Sequence, residues 1–235
     1  MTDPLAHRVA VVTGGAGALG QAVTTRLLAD GATVCVPVEF AEDADRLRQA
    51  VPDAHRGRLA ADPVDVTDLD AMTRLAAGVA ERHGRIDLLI TIVGGFAGGA
   101  LVETDRATWD RMLAVNLTSA FVATRAVVPH MLAEGRGRVV TIGSRAVVPP
   151  AGGFIAYTTA KAGVIAFSQA LAHEMRPHGI TVNCILPSTM DTPANRAAMP
   201  DSDRTGWVPV DAVADAIAFL VRDESAHLTG ALLTV

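Results

Sequence analysis

"RVAVVTGGAGALGQAVTTRLLADGATVCVPVEF" (Arg8–Phe40) decides the fold. RVAVVTG is a short apolar run that reads as a strand, and GALGQAVTTRLLADG reads as a helix closed by Gly31. ATVCVPV then gives a second strand. The same alternation continues outward from this unit. Residues 41–50 read as a helix, 57–62 as a weaker strand and 68–84 (DLDAMTRLAAGVAERHG) as a helix opened by an Asp-rich turn. IDLLITIV is a buried strand, 106–134 one long helix, GRVVTIG a strand and 155–176 a helix. ITVNCIL, a helix at 210–221 and the terminal ALLTV complete the series. Strands alternating with helices imply a parallel sheet. Their nearly unbroken Val/Ile/Leu content implies that helices cover both faces. The expectation is a single α/β domain over residues 1–235, a doubly wound parallel sheet of about seven strands.

Composition narrows the function. Half of the 235 residues are hydrophobic and 19% are charged, which suits a buried core and excludes general disorder. The net charge is −5, without a basic arm or stripe, so nucleic acid is not an expected partner. Cys35 and Cys184 lie far apart in apolar runs and read as core residues, not as a disulfide or metal site. The start MTDPLAHRVAVV has no leader pattern, and no segment reads as long enough to span a bilayer. The expected location is the cytoplasm.

In a doubly wound sheet, ligands bind beyond the carboxyl ends of the strands. The first such place is the glycine turn Thr13–Gly20. Glycines there let the backbone approach a pyrophosphate, and the following helix offers free N–H groups and a favourable dipole. The second strand runs into Glu39. That carboxylate is open to two readings, an acceptor for a ribose 2′-hydroxyl or a solvated strand-end charge. No cation nearby suits a 2′-phosphate, so the cofactor expected is NAD(H) or NADP(H), with NAD(H) favoured.

"FIAYTTAKAGV" holds Tyr157 and Lys161, the only tyrosine and the only lysine of a chain with nineteen arginines. Taken singly, they would be a core aromatic and a solvated helix charge. Four positions apart on a helix they share one face. An ammonium so placed favours the phenolate and lowers the tyrosine pKa, making Tyr157 a usable acid or base.

With these residues in order, the chain resembles the classical short-chain dehydrogenase/reductase family along its whole length. Thr13, Gly14, Gly17, Ala18, Leu19 and Gly20 look like the TGxxxGxG loop of a Rossmann-like domain. Asp65 and Val66 are similar to the pair that contacts adenine. Asn116 stands at the family's helix asparagine, and Ser144 lies thirteen residues before Tyr157, as the family's catalytic serine does. Val93, Gly94, Gly95, Pro187, Thr189 and Thr192 fall where the family meets its cofactor. The resemblance implies an oxidoreductase interconverting a carbonyl and a secondary alcohol. Tyr157 would exchange the proton, Ser144 would hold the substrate oxygen, and Lys161 would lower the Tyr157 pKa and bind the nicotinamide ribose. Asn116 would hold a relay water. It also implies a homodimer or homotetramer packed through 106–134 and 155–176, acting on a small-molecule substrate with no metal.

The chain departs from the family pattern at three places. Ala18 replaces a glycine, implying a helix packed slightly further out. TIVGG (Thr91–Gly95) stands where the family has NNAG, and Ser188 replaces a glycine with freer backbone. Phe96, Val147, Val148, Phe154, Met190, Met199 and Trp207 are candidates for an apolar substrate pocket. Residues 188–209 read as a lid, and Arg145 and Arg196 as candidate cations for an acidic substrate. Three alternatives stay open: a dinucleotide-binding regulator without turnover, a structural subunit, and an enzyme similar to dihydropteridine reductases, suggested by LPSTMDTPANRAAMP.

Overall fold

The structure, a computed structural model, describes residues 3–235. Its first half runs β1 (Val9–Thr13), α1 (Ala18–Ala29), β2 (Thr33–Val38), α2 (Ala41–Ala50), the one-turn α3 (Asp53–Arg56), β3 (Leu59–Pro63), α4 (Leu69–His83) and β4 (Leu88–Thr91). Then come α5 (Arg106–Leu113), α6 (Ser119–Glu134), β5 (Gly137–Ile142), α7 (Ile155–Met175) and β6 (Ile180–Leu186). The chain ends with β7 (Met190–Asp191), α8 (Pro193–Ala198), β8 (Val208–Pro209), α9 (Val210–Leu220) and β9 (Leu232–Thr234).

Seven parallel strands form one sheet in the order β3-β2-β1-β4-β5-β6-β9. Side chains along a strand alternate between faces, so each strand feeds two cores. Ala10 and Val12 of β1, Leu88 and Ile90 of β4, and Val140 and Ile142 of β5 join Leu27 of α1, Leu47 of α2 and Ile217 of α9. Val9, Val11, Leu89 and Val139 point the other way, onto Met72 and Val79 of α4 and Val127 and Met131 of α6. The order reverses at β1, which pairs with β2 on one side and β4 on the other (Thr13 opposite Thr91). The crevice between the carboxyl ends of β1 and β4 is therefore the ligand position of this architecture.

Three expectations need correction. Residues 106–134 are not one regular helix, because Ala114–Thr118 widen into a π turn between α5 and α6. The physical reason is Asn116, whose buried Nδ2 donates to Met112 O at 3.0 Å and competes with the backbone ladder. The same run is also long and apolar enough to cross a bilayer: an 18-residue window in Arg106–Glu134 has mean hydropathy 1.4. Of that window, 56% is buried inside the fold, so its apolar surface is largely taken up by packing.

Ala18 does not hold α1 away from the sheet. It is the exposed first residue of the helix, and the close approach falls at Gly20, where a Cβ would lie 1.9 Å from Gly14 O. Gly20→Ala is expected to destabilise the protein by at least about 2 kcal/mol by overpacking, whereas Ala18→Gly stays within about 1 kcal/mol by helix propensity. Urea midpoints decide this, and equal effects at the two positions would contradict the assignment.

Candidate active site

The glycine turn is shaped by two steric facts. Gly14 has φ +71°, and a Cβ there would lie 2.8 Å from Val93 N. Gly17 N–H donates to Gly14 O at 3.1 Å, closing the turn, and Gly17 then caps α1 without a side chain. The first N–H groups of α1 thus have no side-chain acceptor, a cradle that fits the pyrophosphate of a dinucleotide. Thr13 is buried, and its carbonyl accepts from Ile92 N–H at 3.1 Å. The Leu19 side chain is buried in the first core, so only its backbone faces a ligand.

The remaining residues assigned by resemblance are placed unevenly. Glu39 is exposed immediately after β2. The Asp65 carboxylate accepts from Thr67 N–H (2.8 Å) and Thr67 Oγ1 (2.7 Å), bonds that hold its pKa below the usual carboxylate range. Val66 leans on the second core. A broad groove of about 600 Å³ along β3 and α4 reaches Asp65, but Tyr157, Lys161 and Ser144 do not line it. Pro187 is buried and Thr189 exposed, while the Thr192 hydroxyl accepts from Asn195 N–H at 3.1 Å and caps α8. Ser188 needs no glycine freedom, because His7 is the one non-glycine at positive φ among the described residues. Its N–H donates to Val235 O at 2.9 Å.

Lys161 and Tyr157 stand one turn apart on α7. Lys161 is buried, and its Nζ donates to Ile142 O, the last carbonyl of β5, at 2.8 Å. Asn116 is buried across from it: Nδ2 donates to Gly95 O (3.1 Å), and Oδ1 accepts from Gly95 N–H (3.3 Å). Gly94 lies between the two, since a Cβ on it would meet Asn116 Oδ1 at 2.8 Å and Lys161 Nζ at 3.2 Å. Ser144 follows β5 by two residues, is buried, and accepts from Ala146 N–H at 3.2 Å. Of the neighbouring TIVGG stretch, Thr91 Oγ1 is buried without a partner among the described residues, and Ile92 packs on the first core.

The expected lowering of the Tyr157 pKa by Lys161 does not occur here. Burial pushes it above the ordinary phenol value, with the Ser144 hydroxyl opposing. Lys161 is instead pushed down to about 8 by burial, with the Cys184 thiol opposing. Spacing puts the two residues on one helix, but desolvation sets the direction for the phenol.

One contact has no sequence signal. Phe96, exposed in the loop Gly94-Gly95-Phe96-Ala97-Gly98-Gly99, meets the Tyr157 ring edge-on with centroids 5.1 Å apart. Phe154 flanks both, 5.7 Å from Phe96 and 6.2 Å from Tyr157. A glycine-rich loop has no periodicity to betray where its one aromatic lands. The other pocket candidates divide. Val147 is core and Met190 packs on core, Val148 and Met199 are exposed, and Trp207 lies under the Arg204 guanidinium at 5.7 Å. Arg196 is neutralised by Asp191 (2.5 and 2.7 Å) and is not a free cation, whereas Arg145 is exposed.

A family model described as short chain dehydrogenase matches residues 8–203. The chain belongs to the short-chain dehydrogenase family. Its relatives in that oxidoreductase family include an acetoacetyl-CoA reductase of Allochromatium vinosum, 38% identical over 97% of this chain and 96% of the relative. Another is the 3-oxoacyl-(acyl-carrier-protein) reductase FabG of Escherichia coli, 31% identical over 97% and 95%. Among solved structures, gox2181 superposes with a TM-score of 0.90 at 28% identity, covering 99% of this chain and 96% of that one. An NAD+-bound xylitol dehydrogenase shares the fold at a TM-score of 0.90 and 24% identity, covering 98% of each.

A buried ammonium with a depressed pKa makes this short-chain dehydrogenase's stability depend on pH in a defined direction. Between about pH 8 and the unfolded value of 10.5, the unfolded chain binds more protons at Lys161 than the folded one, so stability from this group rises with pH. Relative to Lys161→Met, the wild-type unfolding free energy should gain about 1 kcal/mol per pH unit across that window. Denaturant titrations at successive pH values measure it. A difference that stays flat or falls would contradict the burial of a charged Lys161.

Proposed function

We propose that the protein is an NAD(P)-dependent oxidoreductase interconverting a carbonyl and a secondary alcohol, with Tyr157 as general acid/base. The observation that carries this reading is the buried Lys161 ammonium one turn from a half-buried Tyr157, with the ammonium at the carboxyl end of β5 and beside Gly94 of the loop after β4. The nicotinamide, when bound, supplies or takes the hydride. Everything else falls to the chain. A phenol whose pKa is raised by burial is neutral near pH 7 and is set to donate a proton to a carbonyl oxygen. The Ser144 hydroxyl offers a second hydrogen bond to that oxygen. Lys161 supplies the positive charge that favours the phenolate once the proton has left. Asn116, with its amide on both backbone groups of Gly95, positions the loop that carries Gly94 and Phe96.

Glu39 favours NAD(H), since its carboxylate repels a 2′-phosphate. Phe96 and Phe154 give the reacting oxygen an apolar wall, which suits a carbonyl carried on an apolar chain or ring. The relatives named for acetoacetyl-CoA and 3-oxoacyl substrates support a 3-oxoacyl class. Residues 188–209, folded as the β7–β8 pair with α8, act as the substrate lid in this reading. The protein works as a homodimer or homotetramer in the cytoplasm. The exposed Phe121 of α6, edge-to-face with Phe167 of α7 at 6.3 Å, supplies an apolar packing face.

Tyr157→Phe removes only the hydroxyl. Turnover should fall by at least about a hundredfold, the low end for general acid–base catalysis, while dinucleotide affinity measured by fluorescence titration stays nearly the same. A variant that retains wild-type turnover would remove Tyr157 from the chemistry.

A further inference from the structure

The amino ends of β1, β4 and β5 lie on the side of the sheet away from Tyr157. There Arg8, Arg136 and Arg138 line a cavity of about 160 Å³ together with Asp87 and Asp223. Asp87 is buried and saturated. It accepts from Val9 N–H (2.9 Å), Arg85 Nε (2.8 Å) and Arg8 Nη1 (3.2 Å), with Arg136 Nη2 at 3.5 Å. Asp223 is exposed and takes both of its close contacts from Arg8 Nη2 (2.8 and 2.9 Å), with Arg138 Nη2 at 3.8 Å. Three guanidiniums and two carboxylates thus line the cavity, an excess of one positive charge on a chain whose net charge is −5, and Arg85 adds a fourth guanidinium on Asp87.

Arg138 carries the strongest signal. Its side chain is only 14% exposed, and its buried Nε has no partner among the described residues. Burial pushes its pKa below the usual guanidinium value, with the Asp223 charge opposing, the Arg8 charge adding to the fall and the Asp87 charge opposing it. A desolvated cation lacking a full set of acceptors gains most from an anion brought beside it.

We propose that this cavity binds a small oxyanion, a phosphate or sulfate group, through Arg8, Arg136 and Arg138. Planar guanidinium forks match the oxygens of such a group. The volume suits an inorganic anion or one terminal phosphoryl group. The site is distinct from the glycine turn, which stands at the opposite ends of the strands.

The test is a melting-temperature titration with inorganic phosphate at constant ionic strength, with saturating dinucleotide present to occupy the glycine turn. A saturable rise is expected in the wild type. Arg136→Gln, at a half-exposed position, should weaken the apparent phosphate affinity about tenfold, the loss of one charge-assisted contact. Asp223→Asn removes the exposed carboxylate that opposes the anion and should strengthen binding severalfold. Repeating the titration with glycerol phosphate separates a free anion from a phosphoryl group on a larger ligand. A wild-type rise that does not saturate, or an equal rise in Arg136→Gln, would mean an adventitious ion only and overturn the proposal. Should Arg136→Gln fail to fold, Asp223→Asn decides alone: tighter binding supports the site, and unchanged or weaker binding overturns it.

Discussion

The arrangement around Tyr157 and Lys161 rests on one hydrogen bond, from the buried Lys161 ammonium to the carbonyl of Ile142 at 2.8 Å. A buried cation with no carboxylate paired to it among the described residues is expensive, and the cost shows as a pKa lowered to about 8. The carbonyl that offsets part of this cost is the last one of β5, so the bond fixes the register of α7 against the end of that strand. Tyr157, one turn earlier on α7, is then held beside the segment that carries Ser144. Gly94 completes the constraint. Any side chain there would meet Lys161 Nζ and Asn116 Oδ1, so the loop after β4 can approach the ammonium only as bare backbone.

Steric limits of the same kind shape the cofactor end. Gly20 lets α1 lie against the Gly14 carbonyl, and the cap at Gly17 leaves the first helix N–H groups without a side-chain cap. The two ends meet in one crevice because β1 and β4 are neighbours at the point where the strand order reverses. Packing thus sets distances, and burial sets proton affinities. The Phe96 and Phe154 rings lie against Tyr157, and burial raises the pKa of its phenol.

The fold was legible because its strands are buried on both faces. ITVNCIL reads as a strand from composition alone and is β6 to the residue, and Asp68 and Gly84 announce both ends of α4. What escaped was local and side-chain-driven. The π turn at Asn116 leaves the apolar pattern of 106–134 unbroken, so nothing in its periodicity marks the break. The two-residue strands β7 and β8 are too short to carry a period. At the candidate site, the i,i+4 spacing of Tyr157 and Lys161 places them on one helix. It says nothing of how far each is desolvated, and desolvation reverses the expected direction for the phenol. The ring contact of Phe96 depends on the path of a glycine-rich loop, which sequence pattern does not encode.

The most direct test of the account is thermal unfolding with NAD, NADH, NADP and NADPH in parallel. A dinucleotide at a hundred times its dissociation constant should add about 2.7 kcal/mol to the folded state, and so raise the melting temperature by several degrees. Such a rise is expected with the NAD(H) pair, through the glycine turn and with Glu39 at the ribose. No shift with any of the four would contradict the central claim that the crevice between β1 and β4 is a working dinucleotide site.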